Sequence, residues 1–167
     1  VFYLYLVIMK LNDPKILLEI LNIAIDAGKE ILKIYNDDII VKSKEDNSPL
    51  TKADINSNKV IINRLQNLKP NFPILSEESL IDWNERKGWQ KYWLIDPLDG
   101  TKEFINKNGE FTVNISLIEN NYPIFGIIYS PLKSLLYYAL KDNGSYKLQT
   151  NTNLSNLNNF NKININK

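Results

Sequence analysis

Apolar residues recur every three or four positions near the start of the chain, which is the spacing of one side of a helix. Asp13 and Pro14 come directly before this run, in the order of an N-cap and a first-turn proline. The sequence therefore predicts a long amphipathic helix that begins at this point. Its apolar positions are Leu17, Ile20, Leu21, Ala24, Ala27, Gly28, Ile31 and Tyr35.

A second helix is predicted to begin near Thr51, with Val60, Ile61, Leu65 and Leu68 on its buried side. Thr51 and Asp54 have the spacing of a capping box, and capping by itself would explain both residues. The alternative is functional, because a carboxylate at the start of a helix could hold a hydroxyl group or a water molecule. The residues alone leave both interpretations of Asp54 open.

From Phe111 onward the period changes from helical to alternating, which is typical of a half-buried strand. Pairs of turn-forming residues, such as Asn120 with Asn121 and Asn143 with Gly144, divide this region into several strands. Two helices followed by an antiparallel meander predict an α+β layered fold, in which the two helices pack on the sheet.

Acidic residues follow two further β-prone segments. Asp96 and Asp99 flank Pro97 at the end of one of them, where the sequence predicts a strand running into a tight turn. Oxygen ligands in this arrangement suit Mg²⁺, although Asp-Pro and Asp-Gly are also ordinary turn pairs. Glu77 and Glu78 follow the other segment and could complete a carboxylate cluster.

The composition narrows the chemistry that this chain can perform. Its 167 residues suit a single domain, with 44% hydrophobic and 23% charged residues. Twenty basic and nineteen acidic side chains give a net charge of +1, so no excess of positive charge favours the binding of nucleic acid. There is no Cys and no His, which excludes thiolate nucleophiles and imidazole bases. Any catalysis must use carboxylates, hydroxyls, lysines and metals held by oxygen.

The sequence predicts three segments. Residues 1–10 form an apolar leader that is too short to span a bilayer, and Met9 is a candidate for the true start of translation. Residues 11–150 form the folded domain. Residues 151–167 are rich in asparagine, and this composition predicts a poorly ordered, low-complexity tail. No transmembrane segment is expected.

Three acidic blocks make the chain resemble the inositol-monophosphatase-like superfamily of Li⁺-sensitive, Mg²⁺-dependent phosphatases. The blocks are residues 46–54 (DNSPLTKAD), 75–78 (LSEE) and 96–101 (DPLDGT). The following residues, 102–105 (KEFI) and 108–115 (NGEFTVNI), are most similar to the bacterial 3'(2'),5'-bisphosphate nucleotidases. Inositol monophosphatases usually have Thr-Asn-Phe after the D-G-T.

The resemblance implies a role for individual residues. The Mg²⁺ ligands would be Glu77, Asp96, the carbonyl of Leu98 and Asp99, and Asp96 would bridge two ions. The backbone N–H groups of Gly100 and Thr101 would receive the phosphate of the substrate. Thr101 and Asp54 would orient and deprotonate the attacking water, with assistance from Glu77.

The resemblance covers about residues 11 to 150. Family members continue into a second half, where the Asp of a Trp-Asp motif binds the second metal, so that site would be one ligand short here. A truncated, non-catalytic remnant is therefore one alternative interpretation, and an inositol monophosphatase or another small-molecule phosphatase is the other.

The expected reaction is Mg²⁺-dependent hydrolysis of the 3'-phosphate of adenosine 3',5'-bisphosphate to AMP, which clears a by-product of sulfate assimilation. The expected partner is this small nucleotide, and a homodimer is left open. The family resemblance implies a cytoplasmic location, with association at the inner membrane as a further option.

Overall fold

The fold was obtained as a computed structural model that describes residues 11–36, 49–79, 81–150 and 152–163. Two long helices come first: α1 spans Pro14–Tyr35 and α2 spans Pro49–Asn67. Asp13 is the N-cap of α1, and its side chain accepts a hydrogen bond from the Lys15 N–H at 2.9 Å. The predicted start of the first helix is therefore confirmed.

Seven strands and two short helices complete the fold. They are β1 Ile74–Ser76, α3 Trp83–Arg86, β2 Lys91–Asp99, α4 Thr101–Ile105, β3 Thr112–Glu119, β4 Tyr122–Ser130, β5 Leu135–Leu140, β6 Gly144–Gln149 and β7 Asn161–Ile163. The strands form one sheet in sequence order. β1 and β2 are parallel, because α3 and its loops connect them, and all later neighbours are antiparallel. The predicted α+β architecture is confirmed, with one parallel pair at the β1 edge.

The core lies between the helices and one face of the sheet. Alternate residues of each central strand are buried there, as the sequence pattern predicts, and they include Ile95, Ile115 and Ile127. Helix α1 packs closely on β4, since a Cβ atom on Gly28 would lie only 2.6 Å from the Tyr129 ring. On the opposite face of the sheet, Leu94 and Ile128 are 41% and 52% exposed.

In the acidic segments, the predicted start of the second helix is wrong, and the predicted turn lies at the end of a longer strand. Helix α2 begins at Pro49, two residues before Thr51, so Thr51 lies inside the helix and not at the N-cap position that the prediction gave it. Strand β2 runs through Pro97 to Asp99, and the predicted turn follows at Gly100, whose φ is +99°, where the chain enters α4; the pairing with β3 shifts between Asp96 and Asp99. Proline is compatible with this position because a β-bulge needs no ladder donor there.

The asparagine-rich segment also differs from the expectation of a poorly ordered tail. Leu154 is bound to α1 through both backbone groups, since its N–H donates to Asn22 Oδ1 at 2.7 Å and its carbonyl accepts from Asn22 Nδ2 at 3.0 Å. Phe160 packs edge-on against Tyr138, with ring centroids 5.0 Å apart, and β7 pairs with β6. The sparse apolar residues of this segment therefore anchor it. Residues 1–10 and 164–167 lie outside the described residues.

Candidate active site

The bulge in β2 brings two carboxylates to the same face of the sheet. In a regular strand, residues three apart point to opposite faces. Here Asp96 pairs with Asn114 and Asp99 pairs with Thr112, which are two residues apart on β3 and share a face. The two residues between the aspartates lie opposite the single residue Val113. The extra residue in β2 therefore converts a D-x-x-D sequence into a pair of neighbouring acids.

Glu77 lies beside this pair because β1 runs parallel to β2. Ser76 is in register with Ile95, and the Glu77 N–H donates to the carbonyl of Ile95 at 3.2 Å. Glu77 is thus carried to the position next to Asp96, where its charge acts on the Asp96 carboxyl group. A groove of about 470 Å³ opens at this point and is lined by Glu77, Asp96 and Asn114, among others.

Asp54 approaches the same acids from helix α2, and its side chain is buried. Burial and the negative charges of Glu78, Asp96 and Glu77 together raise the pKa of Asp54 to about 7. A carboxyl group with this pKa can accept or return a proton near neutral pH. The structure therefore places the functional candidate Asp54 within the electrostatic field of the acidic cluster.

The pKa of Asp96 is also raised to about 7. The causes are burial, the charge of Glu77, the hydrogen bond with Glu77 and the charge of Asp99, in that order. The Leu98 N–H donates to Asp96 Oδ1 at 3.2 Å and opposes the rise. The cluster therefore carries more negative charge than its own hydrogen bonds stabilise.

Asp99 is oriented by β3. Its Oδ2 accepts a hydrogen bond from Asn114 Nδ2 at 3.1 Å, and the Oδ1 of Asn114 accepts one from the Thr112 hydroxyl at 3.2 Å. Asn114 was not among the residues predicted for the site. The available signal was a carboxamide on the polar face of a strand, opposite the first aspartate of the motif.

Gly100 makes the change of direction from β2 to α4. Its φ is +99°, and a Cβ atom there would lie 2.9 Å from the carbonyl oxygen of Glu110, so a side chain would strain the backbone. Thr101 is then the first residue of α4, which lies against α2. Between these two described helices, the structure records no hydrogen bond from Thr101 to Asp54. The proximity of the helices is therefore shown, and the predicted pairing of these side chains stays a prediction.

The donor set fits a hard divalent cation. Its members are carboxylate oxygens with, by prediction, the carbonyl of Leu98, and such oxygens are the ligands that Mg²⁺ prefers. The raised pKa values of Asp54 and Asp96 show that added positive charge would stabilise the cluster. Within the described ranges, no three acidic side chains lie close enough together to enclose an ion. The residues therefore match a divalent cation in the type of their donor atoms and in their negative charge.

The sequence model of the inositol monophosphatase family matches residues 15–165. The chain belongs to the inositol monophosphatase family. The match extends beyond residue 150, which is the predicted end of the folded domain. Within the family, the chain is similar to proteins named 3'(2'),5'-bisphosphate nucleotidase CysQ. The Shigella flexneri protein is 49% identical over 123 residues, which are 72% of this chain and 50% of that protein. The Haemophilus influenzae protein is 43% identical over 142 residues, 84% of this chain and 52% of that protein.

Solved structures agree with this placement. The crystal structure of CysQ from Bacteroides thetaiotaomicron, described as a bacterial member of the inositol monophosphatase family, is 39% identical with a TM-score of 0.80. It covers 89% of this chain and 57% of its own. Inositol monophosphatase from Anabaena is 27% identical, with a TM-score of 0.64, over 80% of this chain and 47% of its own. The family member described here spans about half the length of the curated relatives that it matches.

Proposed function

We propose that the chain carries the metal-binding and water-activating residues of a Mg²⁺-dependent phosphomonoesterase. The observation that carries this proposal is the convergence of Asp54, Glu77, Asp96 and Asp99, from three separate elements, on one edge of the sheet. A histidine-free and cysteine-free chain that concentrates acids in this way suits phosphoryl chemistry assisted by oxygen-bound metal ions.

In this proposal Glu77, Asp96, the carbonyl of Leu98 and Asp99 hold Mg²⁺. When bound, such ions neutralise the charge of a phosphate group and lower the pKa of a coordinated water. Two ions per site are the family expectation.

The remaining residues act on the phosphate and on the attacking water. The N–H groups of Gly100 and Thr101, where β2 passes into α4, receive the phosphate oxygens. The Thr101 hydroxyl orients the water, and Asp54, with its pKa near 7, accepts the proton that the water loses. Glu77 assists as a neighbouring acceptor. The protein thus positions and deprotonates the nucleophile with one hydroxyl and two carboxylates.

The substrate we propose is adenosine 3',5'-bisphosphate, which is hydrolysed at its 3'-phosphate to AMP. Support comes from relatives that are 43–49% identical and are named 3'(2'),5'-bisphosphate nucleotidase. The Lys102-Glu103-Phe104 run after the D-G-T adds to it. An inositol monophosphatase is the second candidate. The family match favours it, but the solved inositol monophosphatase from Anabaena has a lower identity to this chain, 27%, than the nucleotidases have.

We also propose a cytoplasmic location and a small nucleotide as the partner. The proposed nucleotide would be met in the cytoplasm, and the net charge of +1 offers nothing to attract nucleic acid. Among the described helices, none is both long and apolar enough to cross a membrane.

The decisive experiment measures phosphate release from adenosine 3',5'-bisphosphate by the purified chain. It is run with Mg²⁺, with Mg²⁺ plus Li⁺, and with the Asp96→Asn variant as the blank. We expect Mg²⁺-dependent, Li⁺-sensitive release that is lost in the blank, because this substitution removes the most central carboxylate. Equal release by the wild type and Asp96→Asn would contradict the ligand assignment, and faster release from an inositol monophosphate would favour the second candidate.

A further inference from the structure

A side chain of α2 binds the backbone carbonyl of Pro97, which lies within the bulge of β2. Pro97 and Leu98 are the two residues that have no register partner on β3. Buried carbonyl groups are nearly always hydrogen-bonded, and the donor to the carbonyl of Pro97 is a side chain. That donor is the hydroxyl of Ser57 on α2, at 2.8 Å from the carbonyl oxygen.

Ser57 has the position of a dedicated donor. Its side chain is fully buried, at 0% exposure, one turn after Asp54 on the same helix. Serine inside a helix commonly bonds a carbonyl of its own preceding turn, but here the hydroxyl crosses to another element. An alanine would fill the space of the side chain almost as well, so packing alone does not require the hydroxyl group.

The position of this bond matters because the bulge decides where the acids point. Without the extra residue, Asp96 and Asp99 would lie on opposite faces of β2. The bonded carbonyl stands between them in sequence, directly after Asp96 and directly before Leu98. The same bond therefore links the bulge to the helix that carries Asp54.

We propose that Ser57 is a positioning residue that holds the β2 bulge, and with it Asp96, Asp99 and the carbonyl of Leu98, in the arrangement that binds Mg²⁺. The inference rests on the proposed function for the identity of the ion. Hydrogen bonds behind metal ligands commonly contribute tenfold or more to metal affinity. The role of Ser57 is to act through these ligands, without touching the ion or the substrate.

The test compares Ser57→Ala with Ile61→Val in the full chain. Ile61 is a fully buried residue of the same helix, one turn further on, so Ile61→Val loosens the packing of α2 without removing a hydrogen bond. Mg²⁺ binding without substrate is measured by titration calorimetry. Hydrogen exchange at the Leu98 amide, measured without metal, reports the state of the bulge.

We expect Ser57→Ala to weaken Mg²⁺ binding by about 10- to 100-fold and to speed exchange at Leu98, whereas Ile61→Val changes neither. Unchanged Mg²⁺ affinity in Ser57→Ala, or an equal loss in both variants, would overturn the inference. If the wild type binds no Mg²⁺, the proposed function fails. The exchange measurement still tests the inference in that case, because equal exchange at Leu98 in Ser57→Ala and in the wild type would overturn it. Ser57→Cys keeps the size of the side chain with a much weaker donor and repeats the test if the alanine variant does not fold.

Discussion

At one end of the sheet, β5, β6 and β7 pair residue for residue, whereas at the other end the pairing of β2 with β3 skips two residues between Asp96 and Asp99. The far end satisfies its backbone through the ladder. Its side chains add apolar contacts, such as Tyr138 stacked on Tyr146 with ring centroids 4.8 Å apart. At the acidic end, side chains add hydrogen bonds to those of the ladder: the Ser57 hydroxyl donates to the Pro97 carbonyl and the Asn114 amide donates to Asp99.

The two ends of the sheet therefore differ in what they contribute: the regular end contributes packing, and the other end carries the candidate site residues. At the acidic end, burial and the nearby like charges together raise the pKa of both Asp54 and Asp96. Such crowding weakens the folded state in the absence of a cation, and strained or crowded groups of this kind persist only where the surrounding structure holds them. The regular end of the sheet and the two long helices provide that support.

The largest effect that separates the two ends is expected for Asp54→Asn. The amide cannot accept a proton, so phosphate release should fall by about 10²- to 10⁴-fold. Mg²⁺ binding should change little, because Asp54 is not among the proposed ligands. Initial rates and titration calorimetry on the same preparation test both statements. Wild-type turnover in this variant would remove Asp54 from the mechanism.

Gly100→Ala is expected to damage the acidic end through the backbone. The positive φ and the contact with the Glu110 carbonyl should lower the free energy of unfolding by about 1–3 kcal/mol and shift Thr101. Gly88→Ala is the matched control, because a Cβ atom there would meet nothing within 4 Å. Urea unfolding measures the difference. Equal stability of the two variants would show that the turn at Gly100 tolerates a side chain.

Phe160→Ala should affect stability without affecting the site. It removes a half-buried ring that packs on Tyr138, and we expect a loss of about 1–2 kcal/mol, less than for a fully buried phenylalanine. Mg²⁺ affinity should stay at the wild-type value, since the ring lies at the far end of the sheet. A loss of affinity in this variant would mean that the two ends are coupled.

The last effect concerns pH in the metal-free chain. Because Asp54 and Asp96 have raised pKa values, the folded chain retains protons that the unfolded chain releases, so the free energy of unfolding should fall as pH rises from about 4 to about 7. Urea unfolding at about pH 5 and about pH 8, with a chelator, measures this fall. Added Mg²⁺ should reduce it. A stability that rises across this interval without metal would contradict the electrostatic description of the cluster.

Much of the fold could be predicted from periodicity. The start of α1 at Pro14, the alternation of β3 and the hairpin before Gly144 all depend on neighbouring residues in the chain, and each was predicted. The start of α2 was missed because Thr51 and Asp54 imitate a cap, while the helix begins at Pro49. The anchoring of residues 152–160 was missed because it depends on contacts with α1 and β5 that are distant in sequence.

The candidate site divides in the same way. The sequence by itself determined which acids are available, that no histidine or cysteine competes with them, and to which family the motifs point. Only the tertiary structure decided that Asp96 and Asp99 share a face, since that depends on an extra residue in β2 relative to β3. It also decided that the Ser57 hydroxyl meets the Pro97 carbonyl and that the Asn114 amide meets Asp99. The reason is physical: residue types and local periods are encoded in neighbouring positions, whereas strand register and the hydrogen bonds of a bulge arise only when distant segments pack together.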